Sequence, residues 1–175
     1  MLPWAGRLRC GVFEFEDRWI LLPRNLGRHA IHGVGFALPW RILQHAPASI
    51  ELGLDLPTDR RWPYGGTAWQ RIALEEGRMR LELRVSALQA AMPVVMGWHP
   101  WFLKPDRLDF DPVAVYPRDD DGVATLPLAD VPEPPWDDCF LASGPVRLRR
   151  GHQTLVLTSD CTHWALYDEP AEATC

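Results

Sequence analysis

Lysine is nearly missing from this chain: Lys104 stands alone against seventeen arginines. The basic residues are scattered rather than clustered, and the net charge is −5. A nucleic-acid partner held through phosphate contacts is therefore not expected. Long apolar runs are also missing. None reaches the length that spans a bilayer, and the opening residues show no signal-peptide core, so no membrane partner is expected. Cysteine is sparse. Cys10, Cys139, Cys161 and Cys175 are widely spaced and form no Cys-x-x-Cys pair. That pattern predicts reduced thiols and a cytoplasmic location rather than a disulfide framework, and it does not suit a zinc site. No segment carries a helical apolar period, and no fixed-period repeat or low-complexity tract is present.

What the chain has in excess is proline and tryptophan, seventeen and nine among 175 residues. Proline at this density interrupts helices and suits a β-rich fold with many turns. The apolar and charged fractions, 47% and 23%, are those of an ordinary globular protein, and the length is enough for one domain over residues 1–175 with a sizeable core. Trp4, Trp98, Trp101 and Trp136 stand beside polar residues that could form a site. Their rings could stack on a sugar or a base, or could simply fill a β core.

The segments read in order as strands. Phe13 and Phe15 alternate with Glu14 and Glu16 before a turn at Asp17-Arg18, which predicts a hairpin over residues 11–22. A glycine- and histidine-rich loop over residues 23–39 follows, longer than a plain connection needs. Residues 40–44, 49–56, 68–74 and 78–85 are strand-like, the last two joined by a turn at Glu75-Glu76-Gly77. The run Met92-Pro93-Val94-Val95-Met96-Gly97-Trp98-His99-Pro100-Trp101-Phe102-Leu103 places one histidine among apolar, β-branched and aromatic residues. It reads as a buried strand or strand end, extended ahead of Pro100. Residues 108–115 read as one strand, and 117–135 as an acidic, proline-rich surface excursion. Residues 146–149, 154–158 and 164–167 read as late strands, the first two joined at Arg150-Gly151-His152. The fold class expected is all-β, a large sandwich.

Four polar spots stand out: Arg7, the pair His29 and His32, His99, and the pair Asp137 and Asp138. Each has a plain reading. Arg7 could be a surface arginine, and Asp137-Asp138 a turn or a helix cap. A lone histidine in an apolar run is more often a satisfied core residue than a catalyst. His29, His32, His99 and Asp137 have the chemistry of zinc ligands, but no spacing among them is diagnostic, and no metal is expected.

Taken together, the segments resemble the aldose 1-epimerase (mutarotase) family. Pro3-Trp4-Ala5-Gly6-Arg7 is similar to that family's Pro-Trp-x-x-Arg segment. Leu22-Pro23-Arg24-Asn25, then His29-Ala30-Ile31-His32-Gly33, resembles its Asn…His-x-Leu-His-Gly loop, and Pro39-Trp40 the Pro-Trp that follows it. Met92-Pro93, then Gly97-Trp98-His99-Pro100-Trp101-Phe102, looks like its Met-Pro…Gly-x-His-Pro-Tyr-Phe strand. Pro135-Trp136-Asp137-Asp138-Cys139-Phe140 is similar to its Leu-Asp-Asp-x-Phe segment. The resemblance implies a β-supersandwich of the galactose mutarotase type, no cofactor, and a sugar, an aldohexose, bound in a cleft on one sheet. It implies His99 as the catalytic acid and His32 as a second catalytic histidine near the ring oxygen. Arg7 and Asp137 would then contact sugar hydroxyls, and Trp101 would stand where the family has tyrosine.

The chemistry accounts for that set. Interconverting anomers needs an acid at the ring oxygen and a base at the C1 hydroxyl, and a histidine can give a proton and take it back. The family's base is a glutamate in a C-terminal Cys-x-Glu-Pro segment. Here the sequence stops at Cys175, and Glu169 of Asp168-Glu169-Pro170 reads as a turn carboxylate instead. The expectation is a fragment lacking N-terminal strands and that glutamate. Such a fragment would be poor at mutarotation, and its exposed sheet edges would invite pairing with a second copy. The alternatives are a non-catalytic carbohydrate-binding module of the same fold and a metal-dependent sugar isomerase. A phosphorylated hexose would call on Arg24 and Arg28.

Overall fold

The computed structural model describes residues 1–168 and 171–175. They form two compact units, Met1–His99 and Pro100–Cys175. Nearly all regular structure is β, with two single-turn 3-10 helices at Arg9–Gly11 and Gly35–Ala37.

The first unit is built on the alternation that the sequence displays. Strands β5 (Arg41–Ala46), β6 (Ser49–Asp55), β7 (Thr67–Glu75) and β8 (Arg78–Ser86) form an antiparallel sheet in that order. Period-2 patterning sends Leu54, Ala68 and Val85, which are cross-strand partners, to one face. Trp69 and Arg84, also partners, go to the other, where the guanidinium lies 4.7 Å from the indole centroid. The turn between β7 and β8 is the two-residue Glu76-Gly77, with Gly77 at φ +67 as a tight hairpin requires. The apolar face packs into a core of Leu2, Leu22, Leu54, Leu56, Trp62 and Ala68. Each buried leucine there contributes ~1.5–3 kcal/mol. Trp62 anchors the core's aromatic side, with ring centroids of Tyr64, Trp4 and Phe13 at 5.1, 6.1 and 6.1 Å.

The hairpin expected over residues 11–22 forms as β2 (Val12–Phe15) and β3 (Arg18–Leu21), turning at Glu16-Asp17, both at positive φ. The long loop over 23–39 is less irregular than its composition suggests. It contains β4 (Ala30–Ile31), which pairs with β1 (Arg7–Leu8). Gly33 then passes so close to the chain start that a Cβ there would sit 1.8 Å from the Leu2 carbonyl oxygen. Val34 and Gly35 both donate to that same oxygen, at 2.9 and 3.1 Å.

The histidine-bearing run differs from the expectation of a buried strand. Residues 91–102 are an extended strap with no strand assignment, Val95 is 63% exposed, and His99 is exposed. The strap's main-chain bonds to the chain start include Val95 N–H to Pro3 O at 2.9 Å, Gly97 N–H to Met1 O at 3.0 Å and the Met1 ammonium to Gly97 O at 2.7 Å. Pro93 and Pro100 carry no N–H, so a continuous ladder cannot form along it.

In the second unit, β9 (Arg107–Asp109) and β10 (Ala114–Tyr116) replace the single strand expected over 108–115. Asp111-Pro112 breaks the run, and the two halves join different sheets. β9 pairs with β12 (Val146–Arg150), which pairs with β13 (Gln153–Leu157) across a Gly151-His152 turn. β10 pairs with β11 (Asp137–Leu141), which pairs with β14 (His163–Tyr167). Phe140 is fully buried and meets Phe110 and Trp136 edge-on at 5.3 and 5.5 Å. Asp137 and Asp138, readable as a turn or a cap, in fact open β11. Their short polar side chains mask the strand start in the sequence. Residues 117–135 carry no named strand, in keeping with a surface excursion.

Candidate active site

His32 is the best-determined side chain of the site. Pairing of β1 with β4 sets Arg7 opposite Ile31 and brings Gly6 alongside His32. The His32 N–H donates to the Gly6 carbonyl at 3.1 Å, and the Gly6 N–H donates to His32 Nδ1 at 3.2 Å. Nδ1 is thus an acceptor, and the proton of the neutral ring lies on Nε2. The residue adopts φ +61, a left-handed conformation uncommon for a side chain with Cβ. Asn25 holds the preceding residue in place. Its Oδ1 accepts from the Ile31 N–H at 2.7 Å, and its Nδ2 donates to the Ile31 carbonyl at 3.1 Å.

His99 stands against His32, with ring centroids 5.0 Å apart and planes at 87°. The pair cannot easily carry two protons. Burial first, then His99, the Met1 ammonium and Arg7, lower the His32 pKa to about 4. At neutral pH His32 is therefore an uncharged imidazole offering an Nε2–H donor. The first unit so gathers three residues expected in the site, Arg7, His32 and His99, around one electropositive spot. His29 is a different kind of residue. It is 6% exposed, and its Nδ1 accepts the Cys10 N–H at 3.2 Å, so it supports the loop. Among the described residues, no group of three or more His, Cys, Asp or Glu side chains forms a metal-binding set.

The second unit carries Asp137 and Trp101. Asp137 lies opposite Tyr167 in the β11–β14 pair. Tyr167 in turn meets Trp101 edge-on at 5.8 Å. Trp101 is 55% exposed, which suits a stacking surface more than a core position. The Asp137 carboxylate is paired with Arg118. Asp138 faces Leu166 across the same ladder. Glu169 lies outside the described residues.

Comparison with known proteins bears on the family and the fold. The family model described as aldose 1-epimerase matches residues 1–147. The chain belongs to the aldose 1-epimerase family. No curated protein sequence matches it. A crystal structure from Escherichia coli K12, described as a candidate aldose 1-epimerase, superposes with a TM-score of 0.71 at 22% identity. The match covers 85% of this chain and 56% of that one, so the chain spans about half the length of its structural relative. At that identity the likeness speaks for the fold, which is the all-β sandwich of the galactose mutarotase type.

Within this epimerase family member, two positions matter that the sequence does not mark as functional. Asn25 is visible in the motif, but only the two bonds to Ile31 reveal that it holds the histidine loop. Tyr167 sits in a short, ordinary-looking strand, and only strand register places it beside Asp137. Two motif tryptophans, Trp40 and Trp98, line a cleft of about 210 Å³ in the first unit, with Phe36, Gln70 and Leu83. Among the described residues no helix is long and apolar enough to cross a membrane.

Proposed function

We propose that the protein interconverts the α and β anomers of an aldohexose, with His99 as the general acid. The observation that carries this reading is the perpendicular His32–His99 pair at 5.0 Å, in which His32 is held neutral. A neutral His32 can donate a hydrogen bond from Nε2 but has no proton to give at pH 7. Proton transfer to the ring oxygen then falls to His99, while His32 holds that oxygen in place. Arg7 donates to sugar hydroxyls, Asp137 accepts from them, and Trp101 offers a ring face.

In the reaction, protonation of the ring oxygen and removal of the C1 hydroxyl proton break the C1–O bond and give the open-chain aldehyde. Rotation about C1–C2 and the reverse proton transfers close the other anomer. The resemblance assigns the base to a glutamate of a Cys-x-Glu-Pro segment, a tetrapeptide that these 175 residues do not contain. A positioned base of that kind is worth ~10²–10⁴ in rate. All four cysteines are free thiols, which supports a reducing compartment such as the cytoplasm.

Polarimetry on freshly dissolved α-glucose tests the assignment. The chain should accelerate equilibration over buffer, and His99→Asn should remove that acceleration. Equal acceleration by the variant would overturn the role of His99. A second reading, a carbohydrate-binding module of the same fold, predicts glucose binding with no acceleration at all.

A further inference from the structure

The surface excursion over residues 117–135 is anchored in one place to a residue of the proposed sugar site. Asp119 accepts main-chain N–H groups from Asp121 and Val123 at 3.0 and 2.9 Å, which closes a tight turn directly after Arg118. Arg118 Nε donates to the Gly122 carbonyl at 3.1 Å, so the guanidinium is fixed from the turn side. Its Nη1 reaches both the Asp137 main-chain carbonyl and Oδ2 of the Asp137 carboxylate. The arginine is the more enclosed partner, with a side chain 21% exposed against 53% for Asp137. The arginine therefore belongs to the scaffold, and the carboxylate is what the scaffold presents.

We propose, resting on the epimerase reading, that Arg118 is a positioning residue for Asp137: by holding Oδ2 and the strand carbonyl, it presents Oδ1 as a fixed acceptor for one sugar hydroxyl. The surroundings suit such a ligand. Tyr167, the cross-strand partner of Asp137, touches the exposed Trp101 ring. A fixed carboxylate oxygen close to an aromatic surface matches a sugar, whose hydroxyls donate and whose C–H face stacks. Because the Asp137 charge is already paired, the site favours an uncharged hexose. An unheld aspartate would populate several rotamers, and each binding event would lose that freedom.

The test is glucose binding, followed by amide chemical shifts in wild type, Asp137→Asn, Arg118→Met and the double variant, with a thermal melt of each. Arg118→Met should weaken glucose about tenfold, the size of one charge-assisted hydrogen bond. The double variant should bind within about twofold of Asp137→Asn, because the two residues act as one unit. Should Arg118→Met fail to fold, Arg118→Lys decides. It keeps the charge but loses the planar fork, and should still bind about threefold more weakly at an unchanged melting temperature. Wild-type affinity in the folded arginine variant, or losses that multiply in the double variant, would overturn the positioning role and leave the sugar site standing. Failure of wild type to bind glucose would overturn the sugar site and this role together.

Discussion

The depressed pKa of His32 gives the sharpest test of the site. In the unfolded chain the ring titrates at its ordinary 6.5, and in the folded chain at about 4. Above pH 6.5 neither state holds the proton, and His32 adds no pH dependence. Between 6.5 and about 4 the unfolded state binds a proton that the folded state refuses, so stability falls as pH falls. Below about 4 both states are protonated and the loss is complete. The whole interval corresponds to at most ~3.4 kcal/mol, at ~1.4 kcal/mol per pKa unit. The ring keeps partial contact with solvent, and screening brings the expected loss to ~1–2 kcal/mol. Other groups titrate in the same window, so the measurement is a difference. Urea midpoints at pH 6.5 and 4.0 should fall further in wild type than in His32→Asn. Asparagine suits that control because it tolerates a positive φ and does not titrate. The His32 ring resonances, followed directly, should move with a midpoint near 4. A midpoint above 6, or equal losses in both proteins, would refute the account of a desolvated imidazole crowded by His99, the Met1 ammonium and Arg7.

Two further outcomes follow from the histidine loop. Gly33→Ala puts a methyl group 1.8 Å from the Leu2 carbonyl oxygen at φ +74. Together with the ~1–2 kcal/mol penalty of a left-handed alanine, the clash should cost at least ~2 kcal/mol in chemical denaturation. Asn25→Ala removes both bonds to Ile31 and should cost ~1–2 kcal/mol. It should also let the His32 midpoint rise toward 6.5 as the loop loosens, which ring titration would detect.

Much of this fold is legible in the chain because alternation is a local signal. The strands expected over 49–56, 68–74 and 78–85 all form, and register then sets Leu54, Ala68 and Val85 on one face. Runs of mixed purpose are where local reading falls short. Residues 92–103 look buried because their side chains are apolar, yet prolines at 93 and 100 deny them a ladder and Val95 is exposed. Residues 108–115 look continuous, yet Asp111-Pro112 splits them between two sheets. Motif order proposes His32, His99, Arg7 and Asp137 for the site, and the structure brings the first three together in one unit. Which ring nitrogen of His32 carries the proton is not legible there, because that depends on a Gly6 amide placed by pairing over a gap of 26 residues. Arg118 was hidden for the same reason: its partner lies 19 residues on.

The Gly6 contact has a consequence for how this site tolerates change. The Gly6 N–H fixes the His32 ring and the Gly6 carbonyl holds the His32 main chain, and every residue other than proline possesses both groups. No substitution at position 6 other than proline can delete them. A Cβ there would meet nothing within 4 Å, so the one local constraint is the turn at φ +76. Asparagine or aspartate could meet that constraint at modest cost. The tautomer of His32 is in this sense stored in the main chain. It survives drift of the side chains around it for as long as the short β1–β4 ladder closes.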